Sequence, residues 1–270
     1  MSDRVSVRIE DHVADVRLDR AEKMNALDAA MFDALVETGL ELASEPQVRA
    51  VVLSGEGRAF CAGLDFTSFM GMAGGAASGG QGIGLLQRDA SSPANRAQLA
   101  AWVWQELPVP VIAAIHGVAY GGGLQIALGA DIRFVAPDAK LSVMEIKWGL
   151  VPDMSGTQTL RHLVRLDVAK ELTFTGRVVS GTEAVALGLA THVSDAPREA
   201  ALAMAREIAG KSPAAVRAGK QLLNASVTAS VEDGLRLEAR LQTSLIGKPE
   251  QVEAVKANLE KRAPRFGDPA

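Results

Sequence analysis

Hydrophobic positions along the chain fall into two rhythms. Val5, Val7 and Ile9 alternate with polar residues, Asp11-His12 interrupts, and Val13, Val16 and Leu18 resume, which predicts two strands of a hairpin. From Leu27 to Ala43 the rhythm lengthens. Met31, Leu35, Gly39 and Leu42 recur at helical spacing with Asp28 near the start, so a helix is predicted there. Ala50-Val51-Val52-Leu53 and Val111-Ile112-Ala113-Ala114-Ile115 are short, unbroken apolar runs that read as buried strands. Leu124 to Leu128 is apolar and rich in good helix formers, and strands are predicted at Asp131 to Val135 and at Leu141 to Met144. Short helices at Thr157 to Leu163 and Val168 to Leu172 follow. After Ala196 the pattern is wholly helical: Glu199 to Ala209, Pro213 to Ala225, Val231 to Ile246 and Pro249 to Arg262. Alternating strands and helices place the chain in the α/β class.

Two turns break this pattern with small residues just after a strand. One is Gly55-Glu56-Gly57-Arg58-Ala59-Phe60-Cys61-Ala62-Gly63-Leu64-Asp65, after the Ala50 strand. The other is Ala119-Tyr120-Gly121-Gly122-Gly123-Leu124-Gln125, between the Val111 strand and a helix. Glycines here serve either of two ends. They permit tight strand-helix packing, or they leave the first amides of a helix uncovered for an approaching oxygen. Two such turns facing one oxygen atom make an oxyanion hole.

The pair Ala59-Phe60-Cys61-Ala62-Gly63-Leu64-Asp65 and Ile115-His116-Gly117-Val118-Ala119-Tyr120-Gly121-Gly122-Gly123 resembles the enoyl-CoA hydratase/isomerase (crotonase) family, and the resemblance runs from Val5 to Phe266. It implies a ββα spiral core over residues 1–195 and a C-terminal helical segment over 196–270 that makes a homotrimer or a dimer of trimers. It also implies an acyl-CoA substrate, with coenzyme A entering as part of the thioester and no permanently bound cofactor. Matched residue by residue, the oxyanion amides are those of Leu64 and Gly122. The run Glu145-Ile146-Lys147-Trp148-Gly149-Leu150-Val151-Pro152 fits the family's Glu-x-x-x-Gly-x-x-Pro pattern and makes Glu145 the acid/base residue. Gln125 stands where a hydratase carries Glu. An amide orients water but exchanges no proton at neutral pH. Asp153 follows Pro152 where hydratases commonly have Gly, as in the dienoyl-CoA isomerase branch, although that branch also carries Asp at the position of Gln125. Asp153 is therefore either a second acid/base or a turn residue after proline. The resemblance lines a coenzyme groove with Lys23, Met24 and Ala26 and with Ala62 and Asp65, and brings Lys261 to a neighbour's coenzyme.

Composition narrows the field. Of 270 residues 48% are hydrophobic but only 4% aromatic, which gives an aliphatic, alanine-rich core. A net charge of −4 carries no footprint for nucleic acid or an anionic membrane. Residues 109–130 carry no formal charge and are long enough to span a bilayer. Pro110, His116, Gln125 and the glycines interrupt them where a strand-turn-helix needs interruption, so no membrane segment is expected. The single Cys61 suits a reducing compartment, and with no leader visible at the N-terminus a cytoplasmic location is expected. His12, His116, His162 and His192 lack metal-ligand spacing, so no metal site is expected. Residues 71–84 are dominated by Gly, Ala and Ser and read as a mobile loop, either a passive linker or a lid over the acyl chain. Trp102 and Trp104, two residues apart, are not expected to share the core face of one helix.

Three functions fit these residues: an acyl-CoA isomerase moving a double bond through Glu145 and Asp153, a 2-enoyl-CoA hydratase in which Gln125 positions water for Glu145, or a CoA-thioester binding protein with little turnover.

Overall fold

The alternating N-terminal run folds as expected. In the computed structural model, which describes residues 3–65, 67, 85, 86, 88 and 93–268, β1 (Val5–Glu10) and β2 (Val13–Leu18) pair antiparallel with Val5 opposite Leu18. Asp11 and His12 both take the left-handed region, with φ of 49° and 66°, as a two-residue hairpin with right-handed twist requires. Helix α1 (Ala29–Ala43) starts where Asp28 accepts a 2.9 Å hydrogen bond from Met31 N. The chain continues through β3 (Ala50–Gly55), α2 (Arg96–Glu106), β4 (Val111–Ile115), β5 (Val118–Tyr120), α3 (Gly122–Leu128), β6 (Ile132–Val135), β7 (Lys140–Ser142), α4 (Gly156–Leu163) and α5 (Leu166–Thr175). Then come β8 (Val179–Ser180), α6 (Gly181–Leu187), β9 (His192–Val193) and the helices α7 (Pro197–Ala209), α8 (Pro213–Ser226), α9 (Val231–Leu245) and α10 (Pro249–Leu259).

The strands sort into two sheets. The larger has the order β1-β2-β3-β4-β6-β9, parallel from β2 onward, and the smaller has the order β5-β7-β8. After β4 joins the larger sheet, β5 joins the smaller and α3 closes the unit. β6, β7 and α4 repeat the step one strand further on. Repeating ββα steps wind the chain into a spiral, and the turns between the two sheets stack along one edge.

Both faces of the larger sheet are covered, which explains its unbroken apolar runs. Val51, Leu53, Val111, Ala113 and Ile115 join the principal core with Leu35, Trp104 and Ile126. Val52, Ile112 and Ala114 point to the other face, where α7 lays Ala201, Ala205 and Ala209 against them. The four-residue spacing of these alanines puts them on one stripe and lets the helix approach the sheet closely. Trp104 is fully buried, while Trp102 turns outward and donates from Nε1 to Glu106 Oε1 at 2.9 Å.

Four elements depart from expectation. The strand predicted to Met144 ends at Ser142, and Glu145–Trp148 form a 3₁₀ turn. Helix α10 stops at Leu259, short of Arg262, whose guanidinium lies 2.6 Å from Glu253. Strands β8 and β9 have two residues each, too few to show any period. Residues 71–84 lie outside the described residues.

Buried cations fasten the C-terminal helices to the sheet. Lys220 of α8 donates to the carbonyls of Trp104 and Val109 and pairs with Asp131 at 2.8 Å. Arg49, just before β3, donates to the carbonyls of Ala209, Phe266 and Gly267. Among the described residues no helix is long and apolar enough to cross a membrane. The alanine stripe leaves no room for growth, so Ala205→Leu should lower unfolding free energy by about 1–3 kcal/mol through overpacking. Urea denaturation checks this, and an unchanged midpoint would mean that α7 stands off the sheet.

Candidate active site

The first turn is built around Asn25. Its backbone is left-handed, at φ 55°, a conformation Asn tolerates better than most residues, and its side chain is fully buried. Oδ1 accepts from Arg20 N at 2.8 Å, while Nδ2 donates to the carbonyls of Glu56, Ala59 and Phe60 at 2.9–3.1 Å. One side chain thus ties the end of β3 to the strand-to-helix connection before α1. Sequence reasoning passed over it. The available signal was an Asn amid the Arg20 to Leu27 segment, where a left-handed turn needs one.

Backbone bonds zip that connection to the turn: Ala62 N to Met24 O at 2.9 Å, Leu27 N to Gly63 O at 2.8 Å and Asp65 N to Leu27 O at 3.0 Å. Met24, Ala26, Ala62 and Asp65 therefore form one continuous wall. The Asp65 carboxylate is buried against Arg20, 2.8 Å from its Nη1, and Arg20 also donates to the Ala26 carbonyl. Lys23 stands exposed on the rim of this wall.

The second turn is stitched to the first. Phe60 N donates to His116 O, Cys61 N to Val118 O and Tyr120 N to Cys61 O, at 2.9, 3.0 and 3.1 Å. A Cβ on Gly63 would lie 2.6 Å from Tyr120 O, and one on Gly123 would lie 2.5 Å from Cys61 O, so both glycines are needed for the approach. The same hypothetical Gly63 Cβ would sit 3.8 Å from Gly122 N, which fixes how near the two turns come. Gly122 is the first residue of α3, and its N–H has no intrahelical acceptor. Among the described residues neither the Leu64 nor the Gly122 N–H donates to a backbone carbonyl. Cys61 is wholly buried behind the turns, and burial pushes its thiol up to about 12, so it is inert.

Glu145 opens its 3₁₀ turn beside the second glycine turn. A Cβ on Gly121 would lie 3.4 Å from Glu145 Oε1. That oxygen accepts from Gln125 Nε2 at 2.6 Å, whereas Oε2 is buried with no partner among the described residues. Burial pushes the Glu145 carboxyl above the usual carboxylate range. The Gln125 hydrogen bond opposes the shift, and the charge of Asp153 adds to it. Gln125 is itself 2% exposed, and its Oε1 accepts from Met154 N at 2.8 Å and Gly156 N at 2.9 Å. Asp153 keeps contact with solvent, but the surrounding protein withdraws enough water to push its carboxyl up as well. Its neighbour Met154 reaches the second glycine turn, since a Cβ on Gly122 would lie 2.6 Å from Met154 Sδ.

The fold thus gathers Leu64, Gly122, Gln125, Glu145 and Asp153 around the two turns. It does not bring Lys261 to them. That residue is exposed in a left-handed turn after α10, and residues 266–268 are held by Arg49 at the opposite end of β3. Among the described residues no group of His, Cys, Asp or Glu side chains is placed to hold a metal ion.

The sequence family described as Enoyl-CoA hydratase/isomerase matches residues 8–269. A mouse protein named methylglutaconyl-CoA hydratase is 34% identical over 256 residues, covering 92% of this chain and 77% of that one. An Arabidopsis thaliana protein named peroxisomal Delta(3,5)-Delta(2,4)-dienoyl-CoA isomerase is 34% identical over 255 residues, covering 92% and 90%. A crystal structure of an enoyl-CoA hydratase from Bacillus anthracis superposes with a TM-score of 0.86 at 31% identity, covering 97% and 98% of the two chains.

Because burial raises the folded-state pKa of Glu145, the native protein holds that proton more tightly than the unfolded chain does. Ionising Glu145 therefore costs stability, a cost absent at low pH and fully present once pH exceeds the folded pKa. Glu145→Gln should melt higher than the parent at about pH 8, with the gap closing towards about pH 4. A gap independent of pH would contradict this electrostatic account.

Proposed function

The chain belongs to the enoyl-CoA hydratase/isomerase family, and we propose that its own reaction moves a double bond along an acyl-CoA thioester, with Glu145 and Asp153 handling the proton. The thioester oxygen accepts hydrogen bonds from the Leu64 and Gly122 N–H groups, which favour the enolate over the ground-state carbonyl. One carboxylate removes a proton from the carbon beside the thioester. The C–H electron pair moves into the carbonyl, leaving an enolate conjugated with the existing double bond. The other carboxyl group delivers a proton to the far end of that conjugated system. The enolate collapses, the carbonyl re-forms and the double bond has moved, with no water consumed.

One observation carries the choice of isomerisation over hydration. Gln125 Oε1 already accepts two backbone N–H bonds and its amide nitrogen faces Glu145. It has no acceptor to offer the hydrogens of an attacking water, and the groups left for proton work are Glu145 and Asp153. The name of the Arabidopsis relative supports the same reading. Coenzyme A enters with the substrate along the wall of Met24, Ala26, Ala62 and Asp65, with Lys23 at the rim and the Asp65 carboxylate kept for Arg20. Exposed apolar residues on the C-terminal helices, among them Leu223, Val231, Leu235 and Leu259, support a homotrimer or a dimer of trimers. In such an assembly Lys261 serves a neighbour's coenzyme.

Purified protein supplied with 2-enoyl-, 3-enoyl- or 3,5-dienoyl-CoA in deuterated water tests the reading by absorbance and product mass. The expected product is an isomer carrying deuterium without the mass of a water molecule. Water addition to 2-enoyl-CoA as the sole reaction would overturn it in favour of a hydratase.

A further inference from the structure

The geometry points to Gln125 as the positioning residue of this site: a single side-chain amide that fixes Glu145 through its nitrogen and the loop carrying Asp153 through its oxygen. This deepens the double-bond-shift reading, on which the roles of the two carboxylates rest.

Chemistry alone settles the orientation of the amide. Met154 N and Gly156 N both aim hydrogens at one point, 2.8 and 2.9 Å away, and only an oxygen is tolerated there. The nitrogen must then face Glu145 Oε1, at 2.6 Å. A flipped amide would set N–H against N–H and oxygen against carboxylate. The two converging N–H groups flank Ser155, a non-glycine residue held at φ 68°, so the Gln125 oxygen stabilises a loop conformation that costs energy by itself. Gly156 completes the fit, because a Cβ there would lie 2.6–2.9 Å from three atoms of the Gln125 side chain. Asp153 immediately precedes Met154, so its backbone has little freedom while the amide is in place.

The same bond divides the labour within Glu145. Oε1 is committed to Gln125, and Oε2 is left buried without a partner among the described residues. A buried carboxylate oxygen with no donor is costly and is the atom on which a proton is best received. A carboxylate at position 125 would keep the contacts to Met154 and Gly156 but would press a second negative charge against Glu145. The two groups could then ionise only in turn.

Gln125→Glu and Gln125→Met test the role. For Gln125→Glu, the acid limb of kcat should move to higher pH by at least about one unit, with KM within about twofold of the parent and a melting temperature near the parent's at about pH 4 that falls below it as pH rises. Gln125→Met loses both anchors, and its kcat should fall about 100-fold across the pH range. A titration of ¹³C-labelled glutamate carboxyls by NMR, with the Glu145 signal assigned from its loss in Glu145→Gln, reads the same contact without turnover. It should show one step in the parent and two coupled steps in Gln125→Glu. If the acid limb and the Glu145 titration of Gln125→Glu both match the parent, the positioning role is overturned. If Glu145→Gln turns over normally, the acid/base assignment fails instead, while the NMR titration still decides the contact between residues 125 and 145.

Discussion

Three backbone hydrogen bonds, from Phe60 to His116, from Cys61 to Val118 and from Tyr120 to Cys61, hold together two turns that are more than fifty residues apart in sequence. The proposed site is built on that short parallel pairing. It needs glycine at positions 63 and 123, where any side chain would drive the strands apart. It needs Asn25 to close the first turn, and it needs the larger sheet behind it to keep β3 and β4 in register, with Val51 opposite Val111. The glycines thus permit the close packing of the two turns, and under the proposed function that same approach lets the Leu64 and Gly122 amides share one oxygen.

The site stores an electrostatic cost that the rest of the chain offsets. Glu145 is buried with one oxygen unpaired among the described residues, and Asp153 bears a like charge nearby. Removing either carboxylate would ease the local strain. The fold carries it because the surrounding scaffold is over-determined. Trp104, Leu107 and Ile126 are fully buried in the principal core, α7 seals the other face of the sheet, and Lys220 and Arg49 lock the C-terminal segment down. In the proposed proton-transfer role such a local cost, offset by packing elsewhere, is the expected pattern.

Much of this was legible in the sequence, for identifiable reasons. Period-two and helical spacing gave β1, β2 and α1 within two residues. The apolar runs gave β3 and β4, because a strand covered on both faces has no polar side to betray it. The two glycine turns and Glu145 followed from motif and resemblance. Three things stayed hidden. The Met144 strand end failed because the local period says nothing of a turn set by Glu145 burial. Asn25 and Gln125 failed as anchors because a side chain that bonds distant backbone leaves no mark on its neighbours in sequence. Gln125 in particular read as a missing acid, whereas the structure makes it an amide bonded at both its nitrogen and its oxygen, between two carboxylate-bearing segments.

The central claim is that the paired turns cradle a thioester oxygen. A crystal structure with a non-reactive acyl-CoA thioether or amide analogue bound tests it most directly. An amide analogue, whose carbonyl is retained, should place that oxygen about 3 Å from both Leu64 N and Gly122 N, with the carbon beside it facing Glu145 Oε2. A carbonyl oxygen bound away from those two amides would contradict the account.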